Sequence, residues 1–150
     1  MAHEVALSGV PIFSGLRKRD LTRIGRSMTE REFKQGRAIV KEGDPATAFF
    51  IITRGRVEVL TSSGRKKQAK VKELGRGAFF GEMALIDGAR RGATVRALTD
   101  VVCLVLPRRA FLSELRANPR IAVAMLPVLS MQAREDARDS KPVVELLRYI

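Results

Sequence analysis

Cysteine, histidine and tryptophan are nearly absent from this 150-residue chain, which has one Cys, one His and no Trp. A single cysteine, Cys103, excludes a disulfide within the chain, and so few Cys and His residues exclude a zinc site built from them. The same scarcity argues against hydrolases that need a histidine base or a cysteine nucleophile. We therefore expect a reduced, cytoplasmic protein with no catalytic residues, cofactor or metal.

Long apolar runs are also missing. No stretch approaches the about 18 apolar residues of a membrane-spanning helix, and the longest candidate, residues 121–131, contains Pro127. The first residues do not join a cationic start to an apolar block, so no secretory signal is predicted. With 45% hydrophobic and 29% charged residues, the composition is that of a soluble globular chain. Its length fits one domain over residues 1–150.

Positive charge is in excess. Lys and Arg number 28 against 16 Asp and Glu, a net charge of +12. Such a field attracts anions, which include nucleic acid, acidic lipid, an acidic partner protein and phosphorylated small molecules. A solvated basic surface with no specific partner explains the excess equally well. The net charge therefore does not choose among these functions.

Helical periods flank a central region of short strands. Apolar residues recur at helical steps between Ile12 and Ile24, and Gly15 and Gly25 divide this stretch into two short helices. From Glu32 onward, glycines punctuate short apolar runs at the spacing of an all-β sandwich or barrel. The predicted strands are 37–40, 48–53, 57–60, 67–74, 93–97 and 101–106.

The last predicted strand is apolar throughout, so it should be buried on both faces with Cys103 in the core. Helical periods then return over 108–116 and after Asn118-Pro119, and Pro127 should kink the second helix or remove one hydrogen bond. The polar run 132–141 is either the end of that helix or a linker. The apolar tail should dock on its own domain or on a second copy of the chain.

These patterns predict an α+β fold built around a β-roll, similar to a double-stranded jelly roll. The roll covers about 32–106. N-terminal helices precede it, a short helix is inserted near residue 82, and C-terminal helices cover about 108–138. Residues 139–150 form the tail.

The segment Gly75–Val95 carries the chemistry. Gly81 lets the backbone approach a ligand closely. Residues 82–86 can form one helical turn whose first N–H groups point at an anion, and an arginine at 90 or 91 can place its planar fork on a phosphate. Glu82 would repel a phosphate, but it can accept hydrogen bonds from a neutral hydroxyl. This combination suits a ribose joined to a phosphate.

Two motifs in this segment, Phe-Gly-Glu-Met-Ala-Leu at 80–85 and Arg-Gly-Ala-Thr-Val at 91–95, closely resemble the phosphate-binding cassette of the cyclic nucleotide-binding domain family. The likeness covers roughly residues 10–138. It implies that Glu82 accepts from the ribose hydroxyl and Arg91 pairs with the cyclic phosphate. It also implies a close backbone approach at Gly81, backbone N–H donors at Met83, Ala84, Gly92 and Ala93, apolar walls from Val71, Leu74, Phe80 and Met83, and a base contact from Thr94.

The sequence departs from the family's pattern at two positions. Arg90 stands where the family often has proline, which adds a second cation that can compete for the phosphate. Gly92 supplies no hydroxyl, whereas family members that prefer the guanine nucleotide have a threonine there that contacts the ligand. We therefore expect cyclic AMP as the ligand, with cyclic GMP as the alternative.

The resemblance implies a cyclic-nucleotide sensor in which the C-terminal helices swing over the base and regulate an effector protein or a fused domain. Pro107 and Asn118-Pro119 look like hinges, and the tail could be the lid, with Tyr149, Arg134 or Arg138 on the base. A truncated transcription regulator of the catabolite-activator type is an alternative, although no helix-turn-helix follows and no specific DNA binding is expected. A degenerate domain used only for protein interaction is another, and a homodimer is possible.

Overall fold

The computed structural model describes residues 2–63, 66–135 and 141–150. A 3-10 turn at Pro11–Phe13 joins the first two helices. The helices are α1 (Ala2–Ser8), α2 (Lys18–Arg26), α3 (Ala84–Asp87), α4 (Arg108–Ala117), α5 (Arg120–Glu135) and α6 (Lys141–Leu147). The strands are β1 (Thr29–Phe33), β2 (Ala38–Val40), β3 (Ala48–Arg54), β4 (Val57–Ser63), β5 (Lys66–Leu74), β6 (Phe79–Phe80), β7 (Thr94–Ala97) and β8 (Val101–Pro107).

The strands of the described residues form two antiparallel sheets of four, in the orders β1-β8-β3-β6 and β2-β7-β4-β5. This arrangement is the predicted β-roll flanked by helices, and the fold prediction is confirmed. We call the two sheets together the roll. We call α1, α2 and α4–α6 the helical layer.

Strand alternation divides the buried residues into two cores. On β3, Phe49 and Ile51 face the helices, whereas Phe50 and Ile52 face the opposite sheet. Strand β8 does the same with Leu104 and Leu106 on one side and Val101, Cys103 and Val105 on the other. The prediction that this strand is buried on both faces is therefore correct. Burial raises the pKa of the Cys103 thiol to about 12, as expected for a core residue.

The helical layer contacts the outer face of the sheet that contains β3 and β8. Phe13, Phe49 and Phe111 are fully buried there and meet edge to face, with Phe13 centred 5.9 Å from Phe49 and 6.0 Å from Phe111. Gly25 does not end a helix as predicted. It lies inside α2, where a Cβ would stand 3.0 Å from the Cβ of His3, so the glycine permits close packing of α1 on α2.

A buried carboxylate connects the two ends of the helical layer. Asp20 on α2 accepts two hydrogen bonds from Arg120, the first residue of α5, at 2.6 and 2.8 Å, and a third from Arg23 at 3.0 Å. Burial opposes ionisation of Asp20. The hydrogen bonds and charge of Arg120 outweigh that effect and hold the Asp20 pKa below its usual range.

The C-terminal part resolves two alternatives that the sequence left open, the end of α5 and the place of the tail. Helix α5 continues through Pro127 to Glu135, and residues 136–140, which include Arg138, lie outside the described residues. The tail forms a helix, α6, that packs on α3 and α5 of its own domain, with Leu146 fully buried. Within the described ranges, no helix is both long and apolar enough to cross a bilayer.

Candidate ligand-binding site

A cavity of about 610 Å³ lies between the segment around α3 and the inner face of the β2-β7-β4-β5 sheet. This volume is in the range of sites that hold a drug-sized molecule, roughly 300–1,000 Å³. Its wall has three cations and two carboxylates among otherwise mostly apolar residues. The lining residues are Val40, Ala46, Val59, Lys72, Leu74, Ala78, Phe79, Phe80, Gly81, Glu82, Met83, Ala84, Asp87, Ala89, Arg90, Arg91, Gly92, Ala93 and Val95.

The predicted turn after Gly81 is present as α3. Gly81 has a φ of +83°, which only glycine adopts without strain, and the turn ends at Gly88 in the left-handed conformation. The Asp87 carboxylate then accepts a hydrogen bond from the Ala89 N–H at 2.9 Å. The Ala84 N–H, predicted to face a ligand, donates instead to the Gly81 carbonyl at 3.1 Å, because the turn closes on itself.

Arg91 is held from both its backbone and its side chain. Its N–H donates to the Asp44 carbonyl and its carbonyl accepts from the Gly43 N–H, both at 2.8 Å. The guanidinium donates to the Ala48 carbonyl at 2.5 Å and stands 5.6 Å from the ring centre of Phe50. Burial lowers its pKa, but a guanidinium stays charged at neutral pH. The site thus contains a fixed, partly desolvated cation.

Gly81 and Arg91 occupy adjoining space. A Cβ added at Gly81 would collide with Nη1 of Arg91 and come within 3.1 Å of the Ala48 carbonyl oxygen. Glycine is therefore required at this position for the backbone conformation and for the place of the guanidinium. Phe80, the residue before it, stacks on Phe50 at 4.8 Å between ring centres, so the same ring that faces Arg91 also fixes the start of the turn.

Most of the predicted site residues line this one cavity. Nine of the eleven do so: Leu74, Phe80, Gly81, Glu82, Met83, Ala84, Arg91, Gly92 and Ala93. The structure places Glu82 and Arg91 on the lining of the same cavity. Arg90 also lines the cavity, with its Nη1 2.9 Å from the Gly43 carbonyl to which it donates.

Val71 and Thr94 lie outside the cavity wall, contrary to the prediction. Val71 is 58% exposed, because β5 directs its neighbours Lys72 and Leu74 inward instead. Thr94 is buried on the face of β7 opposite Val95, and its hydroxyl accepts a hydrogen bond from the Glu42 N–H at 3.0 Å.

Lys72 is a charged wall residue that the sequence analysis missed. Side chains alternate along a strand, so residues two apart share a face. Once Leu74 is placed inward, this rule selects Lys72 rather than Val71. The same alternation could have identified the apolar wall residues Val59 and Val95, since each lies in an alternating stretch of its strand.

Two of the predicted lid residues, Tyr149 and Arg134, do not line the cavity, and the third, Arg138, is outside the described residues. Tyr149 packs on the helical-layer core, and Arg134 is exposed on α5. A different arginine contacts the far end of the site. Arg108, the first residue of α4, packs its guanidinium against Gly88 and donates a hydrogen bond to the Ile86 carbonyl at 3.3 Å. Helix α4 therefore holds the C-terminal end of α3.

Comparisons with known proteins agree with this geometry. A family model described as cyclic nucleotide-binding domain matches residues 30–118. A cAMP-dependent protein kinase regulatory subunit from Emericella nidulans is 36% identical over 109 residues, which are 73% of this chain and 26% of that protein. A cyclic nucleotide-gated potassium channel from Mesorhizobium japonicum is 38% identical over 116 residues, 77% of this chain and 31% of the channel.

A solved structure extends the comparison. The N-terminal domain of a transcriptional regulator from Streptomyces coelicolor A3(2) superimposes with a TM-score of 0.78 at 27% identity, covering 87% of this chain and 94% of that one. The chain spans only about a quarter to a third of the two curated relatives named above.

Proposed function

Because the chain belongs to the cyclic nucleotide-binding domain family, we propose that it is a sensor module whose cavity takes a cyclic purine nucleotide, with cyclic AMP the expected ligand. The observation that carries this proposal is that Glu82 and Arg91 line the same cavity. A guanidinium suits the cyclic phosphate and a carboxylate suits the ribose hydroxyl. The absence of a hydroxyl at Gly92 is the reason to favour the adenine nucleotide.

The charge of the wall supports an anionic ligand. Lys72, Arg90 and Arg91 outnumber Glu82 and Asp87, and the chain as a whole is strongly basic. Arg91 must release the Ala48 carbonyl, or share its donors, when it binds a phosphate. Five N–H donors allow the guanidinium to do both.

The output of the sensor runs through α4 and α6. Both helices pack on α3, the only helix that contributes to the cavity wall among the described residues. A ligand that moves α3 changes the packing of these helices, and it shifts the equilibrium only by its different affinity for the two arrangements. An effector protein or fused domain would read that shift. Sequence-specific DNA binding is not expected.

Isothermal titration calorimetry with cyclic AMP, cyclic GMP and linear AMP tests the proposal. We expect saturable heat with at least one cyclic nucleotide and much weaker binding of linear AMP. A chain that gives no heat and no thermal shift at about 1 mM of either cyclic nucleotide would show that the cavity is not their site, since that limit corresponds to about 4 kcal/mol of binding free energy.

A matched pair of variants tests the phosphate contact. Arg91→Met should weaken binding by tenfold or more, about 1.4 kcal/mol, because it removes a charge-assisted hydrogen-bond donor. Arg90→Met removes the same charge from the preceding residue, which is exposed and donates a hydrogen bond to the Gly43 carbonyl. It should have a smaller effect. Equal losses in the two variants would mean that only the net charge matters.

A further inference from the structure

Helix α2 contacts both helices that flank the short connection between α4 and α5. Arg23 on α2 has its Nε 3.4 Å from Oε2 of Glu114, in the last turn of α4, and both atoms are inaccessible to solvent. Asp20, nearly one turn earlier on α2, binds Arg120 at the start of α5 through both carboxylate oxygens. Arg23 also donates to Asp20 at 3.0 Å. We call these four side chains the ion network.

The ion network pairs two cations with two carboxylates around a buried centre. The Asp20 side chain is only 2% exposed. A buried carboxylate that loses a cation partner is left as a poorly compensated charge away from water, which is strongly destabilising. Arg120 therefore has to stay on Asp20 in any well-populated arrangement of the helices, and this requirement fixes the start of α5 on α2.

The connection between α4 and α5 has little freedom of its own. Only Asn118 and Pro119 separate the two helices. The Asn118 N–H donates to the Glu114 carbonyl and the Asn118 carbonyl accepts from the Ile121 N–H, both at 2.9 Å, so both helix ends are bonded to one residue. Proline at 119 also fixes its own φ. Backbone and ion network thus both oppose bending at this suggested hinge.

The other suggested hinge is held in a different way. Helix α4 leaves the roll at Pro107, where the backbone changes from extended to helical. The contacts there include a hydrogen bond from the Arg108 N–H to the Thr47 carbonyl at 2.8 Å and the burial of Phe111 and Leu115 in the core next to the sheet. Apolar burial is non-directional, so it permits small shifts that hydrogen-bonded ion pairs of fixed geometry do not.

We propose that the ion network makes α2, α4 and α5 one rigid unit, which moves relative to the roll at Pro107 and does not bend between α4 and α5. The connection at Asn118-Pro119 is then a fixed corner. A displacement of α3 that reaches α4 through Arg108 is carried to the far end of α5. This transmission rests on the proposed function, whereas the rigid unit itself does not.

Native-state hydrogen exchange in urea tests the rigid unit without a ligand. In the wild-type chain, amides of α4 and α5 should open together, with one common dependence on urea. In Asp20→Asn, the contact between Arg23 and Glu114 still joins α2 to α4, but α5 is released. The ratio of the exchange rate in α5 to that in α4 should therefore rise about tenfold. Arg120→Lys keeps the charge but loses the planar fork, so it should raise the ratio less.

Glu73→Gln is the matched control. Glu73 also contacts two cations, Lys70 and Arg56, but it is 42% exposed and lies on the roll. Its replacement should leave the ratio of exchange rates within about twofold of the wild-type value. The inference is wrong if the two helices still open together in Asp20→Asn, or if they already open separately in the wild-type chain.

Spin-label distance measurements test the unit during ligand binding. Labels on Arg109→Cys and Met131→Cys report the arrangement of α4 and α5, and labels on Glu30→Cys and Met131→Cys report the position of α5 relative to β1. The three labelled positions are exposed, and the natural Cys103 is fully buried. On addition of cyclic AMP, the first distance should stay constant while the second changes.

The outcomes separate this inference from the proposed function. A change in the first distance would show that the unit bends, and a constant second distance in a chain that binds cyclic AMP would contradict movement at Pro107. A chain that binds no cyclic nucleotide would overturn the proposed function and the transmission. The rigid unit would then be decided by hydrogen exchange alone.

Discussion

In the roll, every strand of the described residues is fixed to a neighbour by backbone hydrogen bonds, whereas the helical layer is joined to the roll through side chains. Hydrophobic packing around Phe49 and Phe111 supplies most of that second contact. The side-chain polar contacts Asp20–Arg120 and Arg108–Ile86 instead link helices to one another, α2 to α5 and α4 to α3. A strand cannot shift without breaking its backbone hydrogen bonds to the neighbouring strand. A helix that is held by side chains can shift at a smaller cost in free energy.

The cavity lies where the two regions meet. The β2-β7-β4-β5 sheet provides a fixed wall with Val59 and Val95. On the other side, α3 packs against α4 and α6 of the helical layer. Under the proposed function, a ligand would contact both walls of the cavity, and signalling would run through the side-chain interface behind α3. Three substitutions test this division.

The largest expected effect is at Asp20. Asp20→Asn should lower the free energy of unfolding by about 2 kcal/mol, because buried hydrogen bonds to charged partners contribute roughly 1.5–3 kcal/mol each and Arg120 remains partly solvated. Urea denaturation measures this loss. Glu30→Gln, at an exposed carboxylate on β1, is the matched control and should change stability by less than about 0.5 kcal/mol.

The same variant has a pH signature. The folded chain holds the Asp20 pKa below its unfolded value, so this contribution is complete above about pH 4 and is lost as the pH falls through the lowered value. Wild-type stability should therefore decline on acidification more steeply than that of Asp20→Asn. Parallel acid profiles would show that the carboxylate does not stabilise the helical layer in its ionised form.

The second effect is at the boundary between the regions. Gly81→Ala forces a side chain into a backbone at φ +83° and onto the Arg91 guanidinium. We expect about 1–2 kcal/mol lower stability and at least tenfold weaker nucleotide binding. Gly77→Ala is a suitable control, since Gly77 also has a positive φ, of 87°, but open space around it. It should lose stability while retaining affinity.

The smallest effect is expected from Arg108→Met. The substitution keeps an unbranched apolar stem and removes the guanidinium with its hydrogen bond to the Ile86 carbonyl, so the free energy of unfolding should fall by about 1 kcal/mol. Hydrogen exchange should show faster opening of α3 and little change in the ladder between β3 and β8. Equal acceleration in both would contradict the separation of the roll from the helical layer.

The sequence predicted the roll better than its periphery. Glycine spacing and the apolar run of β8 defined six of the eight strands in the described residues, and both signals are local. Strand β1 was missed, because four of its five residues are exposed and its pattern is not apolar. The two-residue strand β6 was missed because two phenylalanines are too short a pattern to distinguish a strand from a loop. Helix α6 was read only as a tail, since its buried residue Leu146 acquires a partner through tertiary packing and not through local propensity.

Most of the predicted site residues that line the cavity come from one continuous stretch of the chain. Residues 80–84 and 91–93 lie in one short segment, so their likeness to a known cassette placed them together. Predicting Lys72 as a wall residue required knowing which face of β5 it occupies, and a local bulge can reverse that alternation. The structure has such a register shift between Val59 and Leu60, opposite this stretch. The engagement of Arg91 with Ala48, 43 residues away, had no local signal at all.

The chain's one cysteine gives an experimental opportunity. Cys103 is fully buried with a pKa of about 12, and reactivity towards thiol reagents requires an accessible thiolate. The native protein should therefore remain unlabelled by maleimide dyes. A cysteine engineered at an exposed position of α4 or α6 would carry the fluorophore alone, so the response of either helix to nucleotide could be followed without first removing the natural thiol.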